Sequence, residues 1–187
     1  MNNRLYIGAR DSGKTSSLFQ DIYAAHIARR PVVVVDSATD HKDRSLCHRL
    51  LREFTDCCVA VEFPRSDGAP ENRLAQILAK AETGKIVMID VSYYLEEGHR
   101  LADPWEKAVT RVRYQVEAGE VLRTIQRLMV EGGLCGVFVA LDEIEFTKTI
   151  MACAVVIAEY GGEVHAALHP PAVDREFVGD FENVVLS

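Results

Sequence analysis

The chain has 187 residues, 48% of them hydrophobic, and a formal net charge of −7 at pH 7. This composition can fill a sizeable core and excludes a disordered chain, and the acidic balance argues against a protein that coats nucleic acid through a broad basic surface. No apolar run approaches the roughly 20 residues that span a bilayer, and the N-terminal MNNRLYIG lacks the features of a secretory signal. We therefore expect a cytoplasmic protein with no membrane association.

Short β-rich runs alternate with helical stretches along the whole chain. Apolar runs such as Val32–Val35 are typical of strands that are covered on both faces. Strands alternating with helices predict an α/β fold, a three-layer sandwich with a mainly parallel central sheet, and we expect residues 1–187 to form one domain. In chain order, strands are predicted at 4–8, 32–36, 57–63, 85–90, 134–141, 163–169 and 184–186, and helices at 13–28, 41–54, 71–82, 104–131 and 144–160.

The segment between the first predicted strand and the first predicted helix reads GARDSGKT and fits GxxxxGK[ST], the Walker A pattern of a phosphate-binding loop. Backbone N–H groups of such a loop point at phosphate oxygens, and the following helix offers its positive end to the anion. Lys14 is predicted to reach the β- and γ-phosphates and to act in catalysis, and the Thr15 hydroxyl is predicted to bind Mg²⁺. The expected nucleotide-binding residues are Gly8, Ala9, Arg10, Asp11, Ser12, Gly13, Lys14, Thr15 and Ser16.

An acidic partner for this loop is expected at a strand end. Three predicted strands end in aspartate, at Asp36, Asp90 and Asp142, but only Asp142 is followed by a second acid, Glu143. In that pair Asp142 would hold the magnesium shell and Glu143 would act as a general base on the attacking water. Asp90 is the alternative metal partner, and Glu143 could instead be a charge favoured at a helix N-terminus.

The position of the acidic strand in the sheet distinguishes two classes of P-loop protein. Nucleotide kinases and GTPases usually place the metal-binding strand beside the P-loop strand, whereas ATPases that use a DE pair usually have another strand between the two. The sequence has no NKxD segment for guanine recognition and no arginine-rich lid of the kind that nucleotide kinases use.

The order of the motifs resembles that of the HerA/FtsK-type ATPases, which include DNA-pumping, conjugation-coupling and viral genome-packaging motors. The resemblance runs through GARDSGKT, KIVMIDVS, VLRTIQRLMVEGG and VFVALDEIE, and the chain is similar to a minimal form of the family, with a RecA/HerA-like P-loop domain. The segment GGEVHAALHPP stands where the family often has a strand ending in a polar sensor, commonly glutamine. His169 would take the place of that sensor here, or the chain has none.

The resemblance implies ATP as the nucleotide, Mg²⁺-dependent hydrolysis, a homo-oligomeric ring and DNA as a partner. It also implies an arginine supplied by a neighbouring subunit. The candidates are Arg123, Arg127 and Arg175, and the alternative for each is an exposed arginine that only contacts solvent. A cluster of cations on the second predicted helix could meet a nucleic-acid backbone or an acidic partner, or could simply face solvent. This cluster consists of Lys42, Arg44, His48, Arg49 and Arg52.

Two other classes of function would use the same loop. A small-molecule phosphotransferase would pass the phosphate to an acceptor near Asp36 or Asp90 rather than to water. A slow regulatory switch would bind the nucleotide tightly, turn it over poorly and change its partners.

Overall fold

The computed structural model describes residues 3–9, 11–37, 46–54, 57–62, 70–91, 102–144, 147–168 and 181–186. The strands are β1 Arg4–Gly8, β2 Val32–Asp36, β3 Cys58–Glu62, β4 Ile86–Asp90, β5 Phe138–Asp142, β6 Glu163–Leu168 and β7 Glu182–Leu186. The helices are α1 Lys14–Ile27, α2 Leu46–Glu53, α3 Pro70–Leu78, which continues as a 3-10 helix over Ala79–Thr83, α4 Pro104–Val130 and α5 Lys148–Glu159. None of the helices in these ranges, including the 27-residue α4, is both long and apolar enough to cross a membrane.

All seven strands belong to one sheet with the order β3-β4-β2-β5-β6-β1-β7, and every neighbouring pair is parallel. Parallel strands need crossover connections, and the helices that alternate with the strands in the sequence provide them. The predicted α/β class with a parallel central sheet is therefore confirmed. That residues 1–187 form a single domain stays a prediction.

Helices cover both faces of the sheet and form two separate hydrophobic clusters. Alternate residues of a strand point to opposite faces, so Val33 and Val35 join one cluster and Val32 and Val34 join the other. The first cluster includes side chains of α3, α4 and α5, and the second includes side chains of α1 and α2. Each fully buried Leu or Ile stabilises the fold by about 1.5–3 kcal/mol, which makes this three-layer packing the main source of stability.

Some element boundaries differ from the predictions. The fifth strand begins at Phe138 rather than 134, since Gly136 has a φ of 61° that interrupts an extended chain. Helix α5 begins at Lys148 rather than 144, after a cap in which Thr147 accepts a hydrogen bond from the Ile150 amide at 3.3 Å. Residues 41–45 of the second predicted helix lie outside the described residues.

A polar network connects the amino-terminal part of the sheet to α1. His165 is buried on β6 and its Nδ1 donates to Asp21 Oδ2 at 2.7 Å, while the hydroxyl of Tyr6 donates to the same oxygen. Arg4 lies 3.6 Å from Asp21 and also pairs with Glu182 at 3.1 Å. Arg4 and Gly8 are at opposite ends of β1, about 13 Å apart for a strand rise near 3.3 Å per residue, and Tyr6 lies midway between them, so the network occupies the amino-terminal half of β1.

Candidate functional site

The predicted loop and the predicted acidic pair lie at the same edge of the sheet. Because all strands are parallel, their carboxyl ends share one edge, which is where ligands bind in open α/β sheets. Strand β1 leads into the loop, strand β5 ends at Asp142, and β6 lies between them. The sheet therefore has the inserted strand that DE-type ATPases usually have, and not the adjacent arrangement of nucleotide kinases and GTPases.

The loop before α1 has the left-handed backbone that wraps a chain around an anion. Asp11 has a φ of 61° and Gly13 a φ of 89°, and the Ser12 amide donates to the Ala9 carbonyl at 3.3 Å. A Cβ at Gly13 would meet no atom within 4 Å, so the need for glycine arises from the backbone angle and not from crowding. The buried Oγ of Ser12 has no hydrogen-bond partner among the described residues, which leaves a donor for a bound anion.

Lys14 folds back over the loop instead of extending into solvent. Its side chain is 5% exposed, and Nζ donates to the Ala9 carbonyl at 2.6 Å. Burial of an ammonium group is costly unless negative charge lies near it, and a phosphate would supply such charge. The lysine, the Ser12 hydroxyl without a partner among the described residues and the start of α1 thus provide hydrogen-bond donors suited to phosphate oxygens. Arg10 lies outside the described residues.

The structure brings the two predicted metal ligands together. Thr15 Oγ1 donates to Asp142 Oδ1 at 3.2 Å, although the residues are 127 positions apart. Asp142 is 1% exposed, and burial, together with the charges of Asp36 and Glu143, raises its pKa well above the usual value, against the opposing effects of Thr15 and Lys14. A bound divalent cation would favour the ionised form of this carboxyl group.

The Thr15 hydroxyl and the Asp142 carboxyl group are hard oxygen donors, which are the ligands that Mg²⁺ prefers. The described residues contain no group of three His, Cys, Asp or Glu side chains that could hold a metal by themselves. Mg²⁺ is commonly held by one or two protein oxygens, with the other positions filled by water and by the phosphates of a substrate. One hydroxyl and one carboxyl group therefore suffice for a site shared with a nucleotide.

The alternative metal partner, Asp90, is less well placed. It ends β4, and β2, β5 and β6 separate that strand from β1. Asp36 ends β2 and pairs in register with both Asp90 and Asp142. The Thr15 hydroxyl contacts Asp142, which favours Asp142 over Asp90 as the partner of the loop.

Glu143 has an unusual backbone. Its φ of 58° is in the left-handed region, which costs an L-residue about 1–2 kcal/mol. Its amide donates to the Ala167 carbonyl at 3.1 Å, and its own carbonyl accepts from Ser37 Oγ at 2.7 Å. The Ser37 amide also donates to the Asp142 carbonyl at 3.2 Å. The sequence did not single out Ser37, because a serine directly after the strand-ending Asp36 carries no local signal of these contacts.

Arg49 on α2 is a second residue whose position near the loop was not predicted from the sequence. Its guanidinium donates to Ser16 Oγ at 3.3 Å and lies 4.7 Å from the centre of the Phe19 ring. From the sequence, Arg49 was expected only to be one of five cations on the second predicted helix. The structure puts it against the first turn of α1, where the predicted loop ends.

The other predicted residues are not brought to this site by the described contacts. Arg123 pairs with Glu120 on α4, and Arg127 lies one turn further along the same helix. Several predictions fall outside the described residues or side chains: the sensor His169, Arg175, Lys42, Arg44 and the side chain of His48.

No family model matches the chain, and no curated protein matches it. Among solved structures, a chain from Drosophila ORC bound to AT-rich DNA and Cdc6 is 11% identical with a TM-score of 0.34, covering 94% of this chain and 54% of that one. A chain from Drosophila ORC bound to DNA is 12% identical with the same TM-score, covering 94% of this chain and 90% of that one. This chain thus spans about half the length of the first of them. Likeness at this level carries no conclusion about function, and the resemblance to HerA/FtsK proteins rests on the motifs alone.

Proposed function

We propose that the chain binds ATP together with Mg²⁺ at the carboxyl edge of the sheet and hydrolyses the terminal phosphate. The observation that carries this proposal is the hydrogen bond between Thr15 and Asp142. It joins a phosphate-loop motif to an acidic strand end across the intervening strand β6, and a glycine turn with an incidental lysine would not need that contact.

The loop and the start of α1 would bind the phosphates. The amides of residues 13–16 and the ammonium group of Lys14 would supply the positive charge, and Thr15 and Asp142 would hold the metal. When bound, Mg²⁺ neutralises part of the charge on the β- and γ-phosphates. Ser12, whose hydroxyl has no partner among the described residues, is available to a phosphate oxygen.

Glu143 would take a proton from the attacking water. It directly follows Asp142, so a carboxylate and the metal site are held side by side at the strand end. Proton transfer to a positioned base contributes about 10²–10⁴-fold to a rate. The strand inserted between β1 and β5 favours hydrolysis over phosphate transfer to an acceptor.

The more specific form of the proposal is a small HerA/FtsK-like motor that moves DNA. It is supported by the motif order and by the inserted strand, and in such a motor His169 would sense the γ-phosphate, while an arginine of a neighbouring copy would act in trans. The net charge of −7 means that DNA would be held by a few local contacts instead of a broad basic face.

The test is ATP turnover and nucleotide affinity in wild type, Lys14→Ala and Glu143→Gln, with and without DNA. Glu143→Gln should lower kcat by about 10²–10⁴-fold and leave ATP affinity intact, because only the proton acceptor is lost. Lys14→Ala should weaken ATP binding itself. The exposed residues Lys80 and Glu131 give matched controls, and Lys80→Ala and Glu131→Gln should behave as wild type.

Unchanged turnover in Glu143→Gln would refute the assigned base. Consumption of ATP only when a small-molecule acceptor is added, with the phosphoryl group recovered on the acceptor and not as free phosphate, would identify a phosphotransferase. Tight binding with negligible turnover in wild type would identify a switch. Hydrolysis that is indifferent to DNA, from a chain that stays monomeric with ATP, would refute the motor while leaving the hydrolase.

A further inference from the structure

We propose that Ser37 is a positioning residue that holds Glu143 in its left-handed backbone conformation and so fixes the direction of the Glu143 carboxylate. The inference rests on the proposed function, because it assigns Ser37 a part in the step that Glu143 would perform. Ser37 follows β2, a strand that contributes no residue to the phosphate loop.

The backbone around Glu143 is held from both neighbouring strands. On one side its amide donates to the carbonyl of Ala167 on β6 at 3.1 Å. On the other side, just beyond the end of β2, Ser37 makes two hydrogen bonds: its amide donates to the Asp142 carbonyl at 3.2 Å, and its hydroxyl donates to the Glu143 carbonyl at 2.7 Å. The hydroxyl bond is the only one of these three made by a side chain, so it is the one that a substitution can remove.

Ser37 is itself firmly placed. It is 2% exposed, and it follows Asp36, whose carbonyl accepts from the Val91 amide at 3.0 Å. The carboxylate of Asp36 accepts from the Cys47 amide at 3.0 Å, which ties the end of β2 to α2. The hydroxyl therefore has a fixed location from which to restrain the turn at Glu143.

Loss of that restraint would let φ of Glu143 relax toward the negative values that L-residues prefer. The direction of its Cα–Cβ bond would then change, and the carboxylate would move with it. A general base must lie within about 2.6–3.2 Å of the proton it accepts, and a misplacement of about 1 Å can cost about 100-fold in rate. The hydroxyl of Ser37 donates to the backbone of Glu143, whereas Lys14 and Thr15 would bind the phosphates and the metal, so removal of that hydroxyl should affect the step that Glu143 performs more than the binding of ATP.

The first experiment compares Ser37→Ala and Ser37→Thr with wild type. Ser37→Ala should lower kcat by roughly 10- to 100-fold, with ATP affinity within about twofold of wild type. Ser37→Thr keeps the hydroxyl and should recover most of kcat. Thr110→Val is the matched control, because it removes an equally buried hydroxyl that donates to a backbone carbonyl, that of Glu106 at 2.8 Å, on a helix outside the site. Its kcat should equal that of wild type.

The second experiment is a double-mutant cycle with Glu143→Gln, with thermal melting of each variant to establish folding. If Ser37 acts through Glu143, Ser37→Ala should not lower the residual turnover of Glu143→Gln any further. An equal fold-loss in both backgrounds would overturn the inference, as would a Ser37→Ala variant whose ATP affinity falls as much as its kcat. A wild-type kcat in Ser37→Ala, with Glu143→Gln inactive, would overturn this inference alone, whereas a fully active Glu143→Gln would overturn the assignment of Glu143 as the base as well.

Discussion

At the scale of single residues, the candidate phosphate loop depends on backbone angles that few residues adopt. Gly13 has a φ of 89°, and Gly84, at the end of the 3-10 helix, has a φ of 82°. A Cβ at either position would meet no atom within 4 Å. Substitution by alanine therefore tests the same backbone strain at one position in the candidate site and at one position outside it.

We predict that Gly13→Ala and Gly84→Ala each lower the free energy of unfolding by about 1–2 kcal/mol, because an L-residue pays that amount in the left-handed region. Only Gly13→Ala should also weaken ATP binding, since its loop would adjust away from the anion-binding shape. Chemical denaturation and ATP titration of both variants provide the measurement. Equal ATP affinity in both variants would show that the loop does not bind the phosphates.

The sequence was sufficient to single out those candidate residues whose signal is local. Lys14 and Thr15 belong to one short motif, and Asp142 was identified by a strand run that ends in two acids. Ser37 could not be identified in this way, because its role follows from two features of the fold. One is the pairing of β2 with β5, and the other is the positive φ of Glu143.

At the scale of elements, α4 has an unusual start. Residues 102–109 are exposed, including Trp105 at 75%, so little packing holds the first turns. The cap is then important, and Asp103 provides it by accepting a hydrogen bond from the Trp105 amide at 2.8 Å, with Pro104 at the first helical position. The sequence predicted this start from Pro104, because the signal is local.

We predict that Asp103→Ala frays the start of α4 without unfolding the protein. A lost N-cap costs about 1 kcal/mol, and for weakly packed turns that cost appears as local opening. Hydrogen exchange should therefore accelerate over residues 105–110, while exchange in β5 stays slow. Asp103→Ser keeps an acceptor and should exchange like wild type. Equally fast exchange in β5 would mean that the cap stabilises the whole fold.

Element boundaries that depend on tertiary structure were harder to predict. Residues 134–137 are apolar and were predicted as strand, but Leu134 and Val137 are buried in the core without belonging to β5. Apolar character indicates burial, and it does not separate a strand from a buried turn. The predicted start of the last helix, at 144, was also wrong. Glu143 has a left-handed backbone, and α5 begins only at Lys148.

At the scale of the whole molecule, a buried polar network adds to the hydrophobic packing of the sheet. The network of Arg4, Tyr6, Asp21 and His165 runs from the amino end of β1 to the middle of β1 and β6. Burial opposes ionisation of Asp21, but the hydrogen bonds from His165 and Tyr6 outweigh it, so the pKa of Asp21 is lowered from 3.8. The network therefore stabilises the fold with Asp21 ionised.

We predict that Asp21→Asn lowers the free energy of unfolding near pH 7 by about 1–3 kcal/mol, because it leaves His165 and Tyr6 without a charged acceptor. A carboxyl group with a lowered folded pKa stabilises above its unfolded pKa and loses that contribution as pH falls through the folded value. The difference between wild type and Asp21→Asn should therefore shrink below about pH 4.

Denaturation curves measured at several pH values would show this dependence. Glu182→Gln is the control, because Glu182 is exposed and its pair with Arg4 should contribute only about 0–1 kcal/mol. A pH-independent difference between wild type and Asp21→Asn would contradict the assigned role of the carboxylate.

The use of different side chains for stability and for the candidate site has a practical consequence. Since the residues of the Asp21 network are not those that would perform chemistry at the carboxyl edge, the second set can be substituted without disturbing the first. The Glu143→Gln variant should thus melt like wild type while keeping its bound ATP unhydrolysed. Such a stalled form is the natural bait for isolating whatever macromolecule recognises the loaded state.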